Sequence, residues 1–281
     1  MALPFQFKAE TVISEKRTTQ EALDTIKNWL KETTLPKIQD EFIILFLISC
    51  ENDIDVTKKA IEAYFRIKNE VPQIFDNYDV SGEELKSIMD VIGLCVIPKR
   101  MKDNRVVVCA RLLDTNYRRC NIIAGIKLSL IPSLMIQIKN PVKEIVVIID
   151  LKGVGFMHLT CLKMGAIISY LRYIQEALPI KLHTIHILNS NYVFDKTLNL
   201  FKIFIKSELL DLLHTHPPGT NMENFHKNFV PASYLPEEYG GDLASFDEIM
   251  KETQKEISQM QPFFDAEEQL RKTYKGQKRK I

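Results

Sequence analysis

Hydrophobic positions are densest between residues 142 and 190, and their spacing changes twice within that stretch. Residues 145–149 are five β-branched aliphatic side chains in succession, which is typical of a strand covered on both faces. Over residues 160–178, apolar side chains recur at steps of three and four, which predicts a helix that Pro179 ends. A second apolar run follows at 182–188. Strand, helix and strand in this order predict a βαβ unit with a right-handed crossover.

The chain before this unit begins with helical patterns. Residues 1–75 are predicted to form a small helical unit, because apolar side chains recur there at helical spacing. The stretches that carry this spacing are 14–31, 40–50 and 55–69.

The pattern then changes to short β-rich runs. Residues 94–97 and 105–110 flank the turn formers at 103–104, which predicts a hairpin. Residues 122–137 follow as a mostly apolar helix, predicted to be interrupted by Pro132.

The chain after the second strand is predicted to form a long helix over 195–213. Its broad apolar face suits either a helix packed on a sheet or a movable lid over an apolar cavity. Residues 242–281 are charged and helical in part, and they end in the basic sequence KGQKRKI. Such a terminus is usually solvated, and it can also contact anionic lipid. The polar stripe of the long helix consists of Asp195, Asn199, Lys202 and Lys206.

Composition narrows the class of protein. The 281 residues are 46% hydrophobic, which suits one large or two small domains with a sizeable core. The formal net charge of +1 offers no long basic field, so we expect no nucleic-acid partner. Five cysteines without CxxC spacing predict free thiols in a reducing compartment. With neither a signal-peptide pattern nor an apolar run near the ~20 residues of a membrane span, we expect a cytoplasmic protein.

Motifs for catalysis or cofactor binding are incomplete. Gly153 and Gly155 after a strand are reminiscent of the dinucleotide fingerprint, but His158 holds its third glycine position. The next strand ends in Asn189 rather than in an acidic residue for a ribose. The GxSxG motif of hydrolases is missing as well. The sequence therefore predicts no catalytic residue and no cofactor.

The histidines of the sequence do not make up a complete metal site either. His214 and His216 are two residues apart and can be metal ligands on a strand, but no further cluster completes a site. His183 and His186 in the preceding strand are expected to face different directions and not to pair. We therefore expect no metal.

Five sequence segments occur in a specific order. The helical unit contains FLISCENDIDVTKKAIEAYF, the hairpin reads IPKRMKDNRVVVCAR, and the strands read IIDLKGVGF and IKLHTIHILNS, the second followed by a Phe-rich helix; LPEEYGG closes the series. Over residues 20–245 this order resembles the CRAL-TRIO family of lipid-transfer proteins. It is most similar to the branch that includes alpha-tocopherol transfer protein and cellular retinaldehyde-binding protein.

The resemblance implies an α/β fold in three parts. These are a helical N-terminal domain (1–75), a CRAL-TRIO lipid-binding domain (76–241) and a charged tail (242–281). The lipid-binding domain is expected to hold a mixed, largely parallel sheet, flanked by helices, with an apolar cavity under a helical gate at 191–213.

The same resemblance implies non-enzymatic binding and intracellular transfer of one hydrophobic small ligand, by a monomer in transient contact with membranes. A tocopherol, retinoid, carotenoid or other isoprenoid-like lipid is expected in preference to a two-chain phospholipid. The alternative is an interaction or regulatory module that keeps the fold without lipid transfer. The tyrosines of the implied wall can hydrogen-bond a ligand hydroxyl or carbonyl, or simply pack in the core. The cavity residues implied by position are Ile145, Val147, Ile149, Tyr170, Tyr173, Ile174, Leu182, Ile185, Phe194, Leu198, Phe201 and Ile205.

The chain departs from the family at the phosphoinositide head-group site. Tocopherol and retinaldehyde carriers are expected to bind this head group in a basic cleft. Here Ile48 stands where the family has an arginine, and His183 replaces another. Residues 208–213, at the end of the gate, are acidic and aliphatic where the family is rich in Lys and Arg. Only Lys181 is retained, with His183 as a pH-dependent substitute, so phosphoinositide dependence is expected to be weakened.

Overall fold

The computed structural model describes residues 2–274, and a five-stranded mixed sheet forms its centre. Strands lie side by side in chain order, with β1 antiparallel to β2 and the pairs β2–β3, β3–β4 and β4–β5 parallel. This arrangement confirms the predicted hairpin, the βαβ unit and the mixed, largely parallel sheet. The strands are β1 (Ile92–Val96), β2 (Arg105–Leu112), β3 (Glu144–Asp150), β4 (Lys181–Leu188) and β5 (Leu213–His216).

Helices cover both faces of this sheet. The N-terminal helical unit (α1 to α5) and α13 pack together, while α12 packs on β1. Short 3₁₀ turns connect several elements, among them Phe156–Cys161 before α8 and Lys202–Phe204 after α9. The helices are α1 (Ala9–Ser14), α2 (Gln20–Lys31), α3 (Asp40–Ser49), α4 (Ile54–Glu70), α5 (Pro72–Phe75), α6 (Glu83–Met89), α7 (Ile122–Lys139), α8 (Met164–Glu176), α9 (Tyr192–Phe201), α10 (Ser207–Asp211), α11 (Met222–Asn228), α12 (Phe246–Ile257) and α13 (Gln261–Lys272).

A β-bulge sets which side chains of β4 face the same way. The pairing of β3 with β4 shifts between Ile145 and Val146, so that His183 has no partner in the ladder. Residues three apart, Leu182 and Ile185, consequently lie on one face of the sheet, where strict alternation would have separated them.

Buried charges join the two ends of the described chain. Glu267 of α13 accepts hydrogen bonds from Tyr64 (2.6 Å) and Lys68 (3.0 Å) of α4 and from Arg271 (2.9 Å). Arg271 also donates to Asp76 at 2.8 Å and is only 1% exposed. Each of these buried charges thus has an oppositely charged partner, which offsets the cost of removing it from water where α13 contacts α4.

Helix α7 runs through Pro132 without interruption, contrary to the prediction. It is long and apolar enough to cross a membrane, which corrects the expectation that every apolar run falls short, but 72% of it is buried inside the fold. Burial of this kind is typical of a core helix, and packing on all sides holds the helix together despite the hydrogen bond that proline cannot donate.

The predicted long helix over 195–213 is in fact three elements. Helix α9 ends at Phe201, a 3₁₀ turn follows, and Ile205 and Lys206 are extended before α10. Gln175 of α8 stabilises this break, because its amide donates to Phe204 O (3.0 Å) and accepts from Lys206 N (2.6 Å). A tertiary contact thus takes the place of helical hydrogen bonds. The basic end of the predicted tail, 275–281, lies outside the described residues.

Candidate functional site: an apolar cavity under a helical gate

A cavity of about 340 Å³ lies between one face of the sheet, helices α7 and α8, and the segment from α9 to α10. Its size is at the lower end of the range for small-molecule sites. Among the described residues that line it, none carries a charge, and the few polar side chains are hydroxyls. An apolar space of this kind suits a hydrophobic small molecule.

A second, more polar groove of about 500 Å³ lies between the hairpin, α7 and α12. Its wall includes Glu248, Glu252 and Glu256 of α12. Carboxylates of this kind are costly to desolvate, so the groove suits an apolar ligand poorly. The apolar cavity is therefore the candidate site.

The predicted wall residues come together with one exception. Tyr173 is only 2% exposed and lies on the opposite side of α8, where its ring packs against Phe75 (centroids 4.8 Å apart) and Tyr64 (6.1 Å). The prediction for Tyr173 is corrected, because α8 buries a second face against the N-terminal helical unit. The eleven that line the cavity are Ile145, Val147, Ile149, Tyr170, Ile174, Leu182, Ile185, Phe194, Leu198, Phe201 and Ile205.

Several lining residues were not predicted. Ser129, Pro132 and Ser133 of α7 form part of the wall, and β1 and β2 contribute further residues. Their spacing of three and four puts them on one side of α7, and this run of small side chains in an otherwise aliphatic helix was the available signal. Leu209 and Leu210, in the acidic and aliphatic turn at the end of the gate, also line the cavity.

We call the segment from α9 to α10 the gate, since it closes one side of the cavity. Asn191 caps the start of α9 by accepting from Val193 N (2.9 Å), and its amide donates to Val154 O (3.1 Å). Gln175 holds the break after α9, as described above. Side-chain hydrogen bonds therefore fix the gate at its start and at its middle.

The outer surface of the gate is apolar in places. Ile203 is 78% exposed, and Tyr192, Leu200 and Phe204 are also exposed. Phe156, in the 3₁₀ turn before α8, is 60% exposed near the start of α9. Large apolar side chains exposed together on one surface element are typical of a surface that contacts a membrane or another molecule.

A group of charged side chains lies where the parallel strands begin. Glu144, 5% exposed, forms ion pairs with Arg105 (3.1 Å) and Lys181 (3.4 Å) and lies 3.1 Å from His183 Nδ1. Lys181 also contacts Glu51 at 2.6 Å, and this hydrogen bond raises the pKa of Lys181 and lowers that of Glu51. Lys181, the cation retained at the expected phosphoinositide site, is thus already paired with two carboxylates.

His183 is neutral in this group. Its Nε2 accepts from Arg105 at 2.6 Å, which leaves the proton on Nδ1, 3.1 Å from Glu144 Oε2. Burial, and then the positive charge of Arg105, lower the pKa of His183. As the sequence predicted, His183 and His186 do not form a pair.

Three other histidines meet on the sheet face away from the cavity. His186 Nδ1 lies 3.1 Å from His216 Nε2, and the His186 and His214 rings stack at 5.2 Å. Phe225 and Phe229 cover the group. Burial, and then the neighbouring imidazoles, lower the pKa of His186 to about 3. The structure thus adds His186 to the His214–His216 pair, but in residues 2–274 no group of three or more His, Cys, Asp or Glu is placed to hold a metal ion.

Comparison with known proteins gives a consistent set of similarities. The family model described as CRAL/TRIO domain matches residues 91–241, and the one described as Pinta-like, UBA domain matches residues 15–85. The alpha-tocopherol transfer protein-like protein of Homo sapiens is 26% identical over 213 residues, which are 75% of this chain and 60% of that protein. Sec14 cytosolic factor of Schizosaccharomyces pombe is 24% identical over 195 residues, 66% of this chain and 59% of that protein.

The chain thus spans about 60% of the length of the curated relatives that it matches. Among solved structures, the crystal structure of Sfh5 superposes with a TM-score of 0.54 at 15% identity, and the match covers 82% of this chain and 91% of that one. At this identity, the superposition shows a shared fold.

Proposed function

Since the chain belongs to the CRAL/TRIO domain family, we propose that it binds one hydrophobic small molecule in the apolar cavity and transfers it between membranes. The cavity of about 340 Å³ under the gate is the observation that supports this most directly. Its apolar walls favour a lipid because burial of apolar surface contributes about 25 cal/mol per Å². The proposal involves no covalent chemistry and places the carrier in the cytoplasm as a monomer.

We further propose that the ligand is a single-chain or isoprenoid-like lipid. Tocopherol, retinoid and carotenoid are the candidate classes. A two-chain phospholipid needs room for a charged head group, and no cation of the described chain lines the cavity. The relatives' name, alpha-tocopherol transfer protein-like, supports the class of ligand.

In this proposal the gate contacts the membrane during transfer. The exposed side chains of Ile203, Leu200 and Tyr192 lie on its outer surface, and Lys196 and Lys202 lie between them in the sequence. Apolar side chains interspersed with cations suit the surface of an anionic bilayer.

Release is proposed to depend little on phosphoinositides. Lys181 is paired with Glu51 and Glu144, so a polyphosphate would have to displace two carboxylates. In this proposal, contact between the gate and the bilayer opens the cavity when the carrier reaches a membrane.

Native mass spectrometry of the purified chain, with organic extraction of whatever accompanies it, tests the proposal. A stoichiometric lipid is the expected result. A clean apo mass that persists after incubation with a retinoid, a tocopherol, a sterol and a phospholipid would overturn the proposal and favour an interaction module that keeps the fold without transfer.

A further inference from the structure

A further pocket, which we call the strand-end pocket, lies where the parallel strands β3, β4 and β5 end. It has a volume of about 500 Å³, and none of its described lining residues also lines the apolar cavity. Its wall includes Asp150 at the end of β3, Asn189 after β4, and Tyr239. In open α/β sheets, ligands commonly bind at the carboxyl ends of the strands, and this volume is within the range for small-molecule sites. The pocket is thus a candidate for a second, separate site.

Asp150 presents a carboxylate oxygen that the described chain does not use. The residue is 8% exposed, and its Oδ1 accepts hydrogen bonds from Lys152 N (2.9 Å) and Asn189 Nδ2 (2.7 Å). Its second oxygen, Oδ2, accepts none from residues 2–274. Since both donors hold Oδ1, the carboxylate is fixed in place, and a ligand that donates a hydrogen bond can bind Oδ2.

No salt bridge of the described residues involves Asp150. Arg111 lies opposite Asp150 in the ladder between β2 and β3, but its guanidinium contacts Asp247 (2.8 Å) and Glu238 (3.6 Å). Lys152 lines the pocket as well, yet it is exposed and forms no salt bridge within residues 2–274. Buried carboxylates are usually paired with a cation. The strand-end pocket therefore favours a ligand with a positive charge.

The hydroxyl of Tyr239 is the second group without a partner. Tyr239 lines the pocket and is only 6% exposed, and its buried hydroxyl forms no hydrogen bond within the described part of the chain. Buried tyrosine hydroxyls usually form one. Burial, and then the neighbouring Cys109 and Asp150, raise the pKa of Tyr239, so the phenol stays protonated within reach of the charge of Asp150. A ligand that contacts both residues can satisfy both groups.

We propose that the strand-end pocket binds a small polar molecule that carries a primary ammonium group and a hydroxyl group. The ammonium group donates to Asp150 Oδ2 and neutralises its charge, and the ligand hydroxyl forms a hydrogen bond with that of Tyr239. A metal ion fits less well, because no group of three or more His, Cys, Asp or Glu in residues 2–274 is placed to hold one. The site goes beyond the proposed lipid carriage, since it takes a polar ligand at a separate place in the fold.

Three compounds with the same four-carbon chain test the need for a positive charge: 4-amino-1-butanol, 1,4-butanediol and 4-hydroxybutyrate. Amide NMR titrations of the full chain at constant ionic strength give each Kd and show whether the signals of residues 151–153 and 219–220 move. The amine should bind at least about tenfold more tightly than the diol, as expected for a hydrogen bond between charged groups, and 4-hydroxybutyrate more weakly than the diol. Equal Kd values for the amine and the diol, or no movement of those signals with any compound, would overturn the proposal.

Two substitutions separate the charge from the hydroxyl. Asp150→Asn keeps the shape of the side chain and an acceptor for its two donors, so it should remove the preference for the amine over the diol. Tyr239→Phe should weaken binding of the amine about threefold to tenfold, and it should not lower the free energy of unfolding without ligand, because the hydroxyl has no partner to lose. Tyr234→Phe is the matched control, since Tyr234 is also buried but lies outside the pocket, and it should leave the Kd unchanged.

Two further results would contradict the proposed contacts. A preference for the amine that persists in Asp150→Asn would overturn the ionic contact and the proposal with it. Displacement of 4-amino-1-butanol by equimolar MgCl₂ would also overturn it, because it would indicate a site for an inorganic cation. Neither result bears on the apolar cavity, so the lipid proposal is tested separately by native mass spectrometry.

Discussion

Substituting Phe201→Asp should make the chain release its ligand much faster. Phe201 lines the cavity from the last turn of α9 and is 3% exposed. Burying a phenylalanine contributes about 1.5–3 kcal/mol, which the substitution removes. The new carboxylate would face apolar walls in which the described chain places no cation, so it disfavours closure further. A loss of about 3 kcal/mol corresponds to roughly 100-fold in the population of the closed gate.

The release rate of bound retinol into buffer without vesicles measures this effect. We expect Phe201→Asp to raise it about 100-fold, in line with the free energy above. Leu200→Asp introduces the same charge one residue earlier at a position that is 49% exposed, so its release rate should stay within about twofold of the unmodified chain. Circular dichroism confirms that both variants are folded. Equal release by Phe201→Asp and the unmodified chain would refute the role of the gate.

Three further predictions concern charge. Burial lowers the pKa of His186 from 6.5 to about 3, so below pH 6.5 the folded chain binds fewer protons than the unfolded chain. The free energy of unfolding, measured with urea, should therefore be highest above pH 6.5 and fall by about 1.4 kcal/mol per pH unit below it. His186→Gln should reduce this slope. Lys181→Ala should hardly change binding to vesicles with phosphatidylinositol bisphosphate, because Lys181 is already paired with Glu51; a large drop in co-sedimentation would contradict this. Glu267→Gln should cost about 3–5 kcal/mol in urea unfolding, because it leaves the buried Lys68 without a carboxylate and Arg271 with Asp76 alone. Glu268→Gln, which breaks a more exposed pair, should cost less than about 1 kcal/mol, and equal costs would refute the reasoning.

Local patterns were sufficient for β1 to β4 because these strands are mostly apolar runs of the right length, whereas β5, with the sequence LHTH, is not. The order of β3, α8 and β4 followed from spacing alone, and the resemblance added the place of the cavity. Ile145, Val147 and Ile149, which the resemblance implied as cavity residues, alternate along β3 and lie on one face. In β4 the same rule would have failed, because the bulge at His183 brings Leu182 and Ile185 to the same side.

Residues on helices with more than one apolar face could not be assigned to the cavity or to the core from sequence. Helix α8 is apolar on two faces, so its spacing could not tell that Tyr170 faces the cavity and Tyr173 the N-terminal helical unit. Helix α7 is apolar almost all round, and only the small side chains at Ser129, Pro132 and Ser133 indicated which side lines the cavity. Which face meets the cavity depends on the neighbours of each helix.

The sequence by itself determined the strands, most helices and the apolar character of the cavity walls, since these depend on which side chains avoid water. Tertiary structure decided the features that depend on partners distant in the chain. Gln175 ends the gate helix that propensity would have continued, and the meeting of His186 with His216 depends on the pairing of β4 with β5. The hydrogen bond from Ser129 to Tyr170 likewise joins residues that are 41 apart in the sequence. Hydrophobic spacing is a local property, whereas hydrogen-bond partners are chosen only once the chain has folded.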